Sequence, residues 1–123
     1  MNEIKAYVRR SQVNQVVASL ERAGAPGITL VEVHPVGYGY EPDYFEAQFD
    51  DAIKRYRLWQ VVKLEVVCAD KDTDRLVRTI LEAARTGQPG DGMVFVSEVS
   101  RAVRVRDGAA GEDFLAGTAS PAP

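Results

Sequence analysis

The chain has 123 residues, 46% hydrophobic and 27% charged, with 15 Lys plus Arg against 18 Asp plus Glu for a formal net charge of −3. That length suits one domain with a sizeable core, and the near balance of charge gives no ground for general nucleic-acid or anionic-membrane binding. Cys68 is the only cysteine, which excludes an intrachain disulfide and a Cys-x-x-Cys pair; no apolar run approaches the ~20 residues that span a bilayer and Met1-Asn2-Glu3 does not open a signal peptide, so a cytoplasmic protein without membrane insertion is expected.

Residues 3–9 alternate, Ile4, Ala6 and Val8 against Lys5, Tyr7 and Arg9, which is the period of a half-buried strand. Ser11 stands at an N-cap position, and Val13, Val16, Val17 and Leu20 follow at helical spacing. The helix is expected to end near Gly24, with Pro26-Gly27 turning the chain. Residues 28–36 are rich in β-branched side chains and read as a second strand, in which Pro35 argues for an edge or an end.

Residues 37–60 differ in character. Gly37-Tyr38-Gly39-Tyr40-Glu41-Pro42-Asp43 opens the segment as a loop. Phe45, Phe49, Ala52, Ile53 and Tyr56 then fall on one face at helical spacing, and Asp50 with Lys54 and Asp51 with Arg55 are acid-before-base pairs at i, i+4, each worth about 0.2–0.5 kcal/mol in an isolated helix. Two readings stay open: a short helix packed on the core, or a protruding arm whose apolar face orders only against a partner or ligand.

Residues 61–68 form a strand with Val62, Leu64, Val66 and Cys68 on one face. Leu76, Val77, Ile80, Leu81 and Ala84 mark a second amphipathic helix, with Asp70 and Asp72 as candidate caps. The run Thr86-Gly87-Gln88-Pro89-Gly90-Asp91-Gly92 follows; glycine tolerates positive φ and lets backbone amides crowd a ligand. Residues 93–106 alternate as one long strand, on which Arg104 and Arg106 would share a face roughly 6.6–6.8 Å apart. Backbone donors and paired guanidinium groups suit a phosphate-bearing ligand, so the pattern points to a nucleotide. Beyond Asp107 the composition turns to Gly, Ala and acidic residues, a tail expected to bury no apolar surface and to be disordered at its end.

The order of elements, βαβ followed by βαβ, is that of an α+β, ferredoxin-like fold: a four-stranded antiparallel sheet with two helices on one face and the other face left to pack. Catalysis finds little to work with. His34, the only histidine, stands beside Pro35 and reads as structural, no Ser-His-Asp or Cys-His arrangement is visible, and no His and Cys cluster could hold a metal. A protein that is not an enzyme and has no catalytic cofactor is expected.

Thr86, Gly90, Asp91, Gly92, Val94, Phe95, Val96 and Val99, with Ala84-Arg85-Thr86-Gly87, Val103-Arg104-Val105-Arg106 and Gly27-Ile28-Thr29-Leu30-Val31-Glu32-Val33, resemble the PII signal-protein family across residues 3–108. The resemblance implies a homotrimer with its sheets packed inward and adenine nucleotides bound between neighbouring subunits. It implies that Thr29 lies near the adenine and that Gly90, Asp91 and Gly92 line the phosphates. Arg104 and Arg106 would neutralise phosphate charge, one of them from the adjacent subunit, and Gly37, Gly39, Val67, Thr86, Gly87 and Met93 would complete the nucleotide site. The domain would span 1–108, with a B-loop at 86–92 and a T-loop at 37–60, and 109–123 as the C-terminal tail. Tyr40, Tyr44, Phe45, Phe49 and Tyr56 would belong to the T-loop, the arm by which such proteins reach transporters and enzymes.

Three departures from the family pattern shape the functional expectation. A basic residue normally follows Gly-Asp-Gly, and here it is Met93; each charge-assisted phosphate contact contributes on the order of 1.5–3 kcal/mol, so ADP or AMP is expected to compete well with ATP. The Tyr-Arg-Gly-Ala-Glu-Tyr-like uridylylation motif is absent around Tyr44 and Tyr56. The T-loop opening lacks the family's glutamine that holds magnesium, and the lysine that pairs with 2-oxoglutarate, just before the family's third strand, aligns best with Val61. These changes point away from nitrogen sensing, toward a transporter or inorganic-carbon metabolism of the carboxysome-associated kind with bicarbonate as second ligand. The alternatives are a nitrogen regulator acting on an ammonium channel and a protein serving heavy-metal efflux.

Overall fold

The computed structural model describes residues 1–35, 61–112 and Leu115. Its elements are β1 (Asn2–Arg9), a 3₁₀ turn (Arg10–Gln12), α1 (Val13–Arg22), β2 (Thr29–Glu32), β3 (Val61–Cys68), α2 (Asp70–Ala84) and β4 (Gly92–Glu98). The strands form one antiparallel sheet in the order β2-β3-β1-β4. This is the expected ferredoxin-like arrangement, with β1 and β3 at the centre and β2 and β4 at the edges. Residues 37–60, expected to form the T-loop, with Gly37, Gly39, Tyr40, Tyr44, Phe45, Phe49 and Tyr56, lie outside the described residues, as does most of the tail.

Alternation decides the core. Ile4, Ala6 and Val8 of β1 and Val62, Leu64, Val66 and Cys68 of β3 point to the helix side, where they meet Val16 and Leu20 of α1 and Leu76 and Ile80 of α2. Ile4, Leu20, Leu64, Leu76 and Ile80 are fully buried, each contributing about 1.5–3 kcal/mol by leaving water. Burial raises the Cys68 thiol above its ordinary range, partly offset by its contact with the Thr73 hydroxyl. The opposite face is more polar: Lys5 pairs with Glu3 and Lys63 with Glu65, while Tyr7 meets Phe95 edge to face at 6.0 Å.

Helix ends follow the sequence at one terminus and depart from it at the others. Gly24 has φ 84°; its N–H donates to the Glu21 carbonyl and that of Ala25 to the Leu20 carbonyl, a Schellman closure of α1. Ser11 is not the N-cap. It lies inside the 3₁₀ turn, and Gln12 occupies the cap position without a side-chain capping bond; the Gln12 amide donates instead to the Ala83 carbonyl at 3.2 Å, fastening α1 to the end of α2. Asp70 and Asp72 are likewise not caps, because Ala69 is. Both sit in the first turn, where carboxylates complement the helix dipole, and Asp72 accepts from Arg75 at 2.8 Å.

The second strand is shorter than residues 28–36 suggest, and it is an edge strand, as Pro35 implied. The last strand is also shorter, ending at Glu98 rather than running to residue 106. Residues 102–111 instead make a small hairpin: Val103 bridges Ala110, and the Arg104 N–H donates to the Ala109 carbonyl at 2.8 Å. Asp107-Gly108 is hairpin-turn chemistry, and Gly108 takes φ 73°. The start of the tail buries apolar surface after all: Leu115 is buried, and Glu112 accepts from the Met1 amine at 2.8 Å.

Candidate functional site

The register defines two ends of the sheet. At one, Val8 lies opposite both Val62 and Gly92, and Val62 opposite Glu32. At the other, Asn2 lies opposite Cys68 and Glu98. The glycine-rich loop between α2 and β4 is at the first end, beside the positions where the chain leaves β2 and re-enters β3 at Val61.

Asp91 organises this loop. Its Oδ2 accepts the N–H groups of Thr86 and Gly87, both at 2.8 Å, and its Oδ1 accepts from the Thr86 hydroxyl and from Arg9 Nε, the latter at 3.1 Å. Arg9 also donates through Nη2 to the Pro89 carbonyl at 2.6 Å. Partial burial pushes the Asp91 carboxyl up, but the bonds from the Thr86 side chain, the two amides and Arg9 outweigh it and hold it well below the usual carboxylate range. Gly87, Gly90 and Gly92 adopt φ of 87°, 95° and 113°, a region costly for residues with a Cβ. The carboxylate is thus turned into the loop, where it takes up the Thr86 and Gly87 amides and pairs with Arg9.

Beside the loop, a cavity of about 400 Å³ lies between α2 and the β4 edge, walled by Ile80, Leu81, Val94 and Val96 and closed at the loop end by Gly92 and Met93. An apolar cleft with a few polar groups at one end is the usual form of a small-molecule site.

The other residues expected in the site are dispersed. Thr29 is on β2, separated from β4 by three strand spacings, about 14 Å. Val67 lies on the open face of β3, in register with Glu3. Arg104 and Arg106 lie on the hairpin that follows the far end of β4, not on a shared strand face; Arg104 pairs with Asp107, Nε to Oδ1 at 3.1 Å and Nη2 to Oδ2 at 2.7 Å. One chain therefore brings together Thr86, Gly87, Gly90, Asp91, Gly92 and Met93, and does not bring Thr29, Val67, Arg104 or Arg106 to them. Gly37 and Gly39 lie outside the described residues. Arg9 is the residue that sequence reasoning missed. Its only signal was a cation closing a strand, and its partner is 82 positions away.

Among the described residues, no three His, Cys, Asp or Glu side chains gather to hold a metal ion, and no helix is long and apolar enough to cross a membrane.

The model of the family described as nitrogen regulatory protein P-II matches residues 1–109. The chain is 37% identical over 114 residues to nitrogen regulatory protein P-II 2 of Methanothermobacter thermautotrophicus, covering 91% of this chain and 95% of the relative. It is 36% identical over 115 residues to nitrogen regulatory protein P-II of Haemophilus influenzae, covering 94% and 100%. It is 29% identical over 106 residues to the protein of that name from Pyropia yezoensis, covering 86% and 92%. The fold, the loop and these similarities agree: the chain belongs to the nitrogen regulatory protein P-II family.

Proposed function

We propose that this P-II family member is a homotrimeric signal protein that binds an adenine nucleotide between subunits and reports nucleotide state to a partner through residues 37–60. The observation that carries the reading is the pre-set loop: Asp91 and Arg9 hold Thr86–Gly92 in shape before any ligand arrives, which lowers the ordering cost of binding. The dispersal of the remaining site residues supports a second copy of the chain as the source of the missing wall. Thr29 and the loop are on opposite sheet edges, three strand spacings or about 14 Å apart across the sheet and offset along it as well, since Thr29 is level with Glu65, Lys5 and Phe95; a neighbouring subunit would close that gap.

Nucleotide state reaches the partner by linkage: a ligand that contacts the arm in one conformation shifts its population by the difference in affinity. Val61, the first described residue after the arm, is paired in register with Arg9, which supports a short path from loop to arm. Met93 stands where a cation is usual and is 42% exposed, which supports ADP or AMP competing well with ATP. The missing 2-oxoglutarate ligands support a different small anion, bicarbonate, and a transporter or inorganic-carbon partner. The relatives, named nitrogen regulatory proteins, favour a second reading, a nitrogen regulator acting on an ammonium channel.

Calorimetry on the purified protein with ATP, ADP and AMP, alongside light scattering for the mass of the assembly, tests the proposal. A trimer binding ADP within tenfold of ATP is expected. A folded protein that binds none of the three overturns the reading, and ATP at least tenfold tighter than ADP overturns the selectivity. Titration of the nucleotide complex separates the two pathways: bicarbonate binding supports the first, and 2-oxoglutarate binding with MgATP supports the nitrogen regulator. Arg104→Ala is expected to abolish or greatly weaken nucleotide binding while leaving the trimer assembled.

A further inference from the structure

Asp107 uses both carboxylate oxygens on Arg104, through Nε at 3.1 Å and Nη2 at 2.7 Å, and its Oδ2 lies 3.9 Å from Arg106 Nη2. The carboxylate is fixed by the turn as well as by the charge: its Oδ1 accepts the Ala109 N–H at 3.0 Å, inside a hairpin closed by the bonds between Arg104 and Ala109 and between Gly108 and Arg104. The pair is partly exposed, Arg104 at 28% and Asp107 at 42%, so a ligand can reach it. A two-point guanidinium–carboxylate contact occupies the same donor edge that a phosphate takes. A phosphate arriving at Arg104 must displace Asp107 or bind beside a negative charge that the hairpin holds in place.

Resting on the nucleotide-site reading above, we propose that Asp107 is a specificity-determining residue, an internal counter-ion that competes with phosphate for Arg104 and Arg106 and disfavours the most highly charged nucleotides. Repulsion from a fixed carboxylate grows with ligand charge, and ATP carries one more negative charge than ADP. Asp107 thus acts in the same direction as the missing cation at Met93, from a different element. The hydrogen bond from Arg104 and the Ala109 amide hold the Asp107 carboxyl down at about 2, so the counter-ion stays charged across the physiological range and sets a constant bias rather than a pH response.

Asp107→Asn separates the charge from the turn, because the asparagine oxygen still accepts the Ala109 N–H while the negative charge is gone. Asp107→Ser, which also caps turns, serves as the second variant. Circular dichroism confirms the fold, and calorimetry reads ATP and ADP dissociation constants at two salt concentrations. Both variants are expected to tighten ATP about tenfold and ADP by about threefold, as loss of a charge-assisted competitor implies, with a steeper loss of affinity as salt rises. An unchanged ratio of ATP to ADP affinity in both variants, or weaker binding of both nucleotides, overturns the counter-ion role and leaves Asp107 as a hairpin strut. A folded wild type that binds no adenine nucleotide is a different result, and it overturns the nucleotide-site reading itself.

Discussion

Arg9 and Asp91, 82 residues apart in the chain, meet at 3.1 Å across the end of β1. The same arginine closes on the Pro89 carbonyl, and its backbone lies opposite Val61 in the β1–β3 ladder. One side chain therefore braces the glycine loop from the strand end that pairs with the start of β3.

Replacing Arg9 by Gln removes the charge and the forked geometry. The pair is about a third exposed on the arginine side, so the ion pair is screened, and the loss of unfolding free energy is expected to be about 1 kcal/mol. Urea denaturation measures it. Arg9→Lys should recover less than half of that loss, because an ammonium cannot serve Asp91 and Pro89 through one planar fork. A cost below about 0.3 kcal/mol for Arg9→Gln would show that the loop holds its shape without the brace.

The Asp91 carboxyl makes a second prediction, in pH. Its folded-state pKa lies below the ordinary value, so it stabilises the fold fully above the unfolded aspartate pKa of about 3.9. That contribution falls away as pH drops below this value toward the folded one. Asp91→Asn removes the dependence. Unfolding free energy followed from pH 6 downward should fall more steeply in the wild type than in the variant below about pH 4, and parallel curves would mean that Asp91 is not held down.

Where the sequence was legible, one local rule was enough. Residues 61–68 form the expected strand because four inward apolar side chains alternate without interruption, and α1 stops at Gly24 because only glycine fits the closing turn cheaply. The glycine loop was equally plain. Residues 99–106 read as a continuation of the strand because alternation in Val103–Arg106 outweighs the turn chemistry of Asp107-Gly108, which in fact folds the segment into a hairpin. Ser11 is a good capping residue in the wrong place, since the 3₁₀ turn moves the start of α1 past it. The Arg9–Asp91 contact was not legible by any local rule, because it depends on β4 lying beside β1.

Two glycines separate backbone strain from packing. A Cβ on Gly87 or on Gly27 would meet nothing within 4 Å, but Gly87 holds φ 87° and Gly27 has no positive φ. Gly87→Ala is expected to cost about 1–2 kcal/mol from conformation alone, whereas Gly27→Ala should be neutral or stabilise by up to about 1 kcal/mol by restricting the unfolded chain. Thermal denaturation of the two variants gives the comparison. Equal effects would contradict the loop geometry.

Met93 gives the sharpest test of ligand preference. It is the second residue of β4, directly after the loop and in register with Tyr7, and it is 42% exposed. Met93→Lys therefore places a cation at the loop with little effect on folding, because a lysine stem can lie along the apolar surface while its ammonium reaches water. The added charge meets the outermost phosphate most favourably, so the ratio of ATP to ADP affinity is expected to rise about tenfold, the effect of roughly one charge-assisted contact. The gain should shrink as salt rises, since an exposed cation is screened. If calorimetry finds both nucleotides tightened equally, the cation acts on phosphates common to the two, and the absence of a basic residue at position 93 does not set the preference for fewer phosphates.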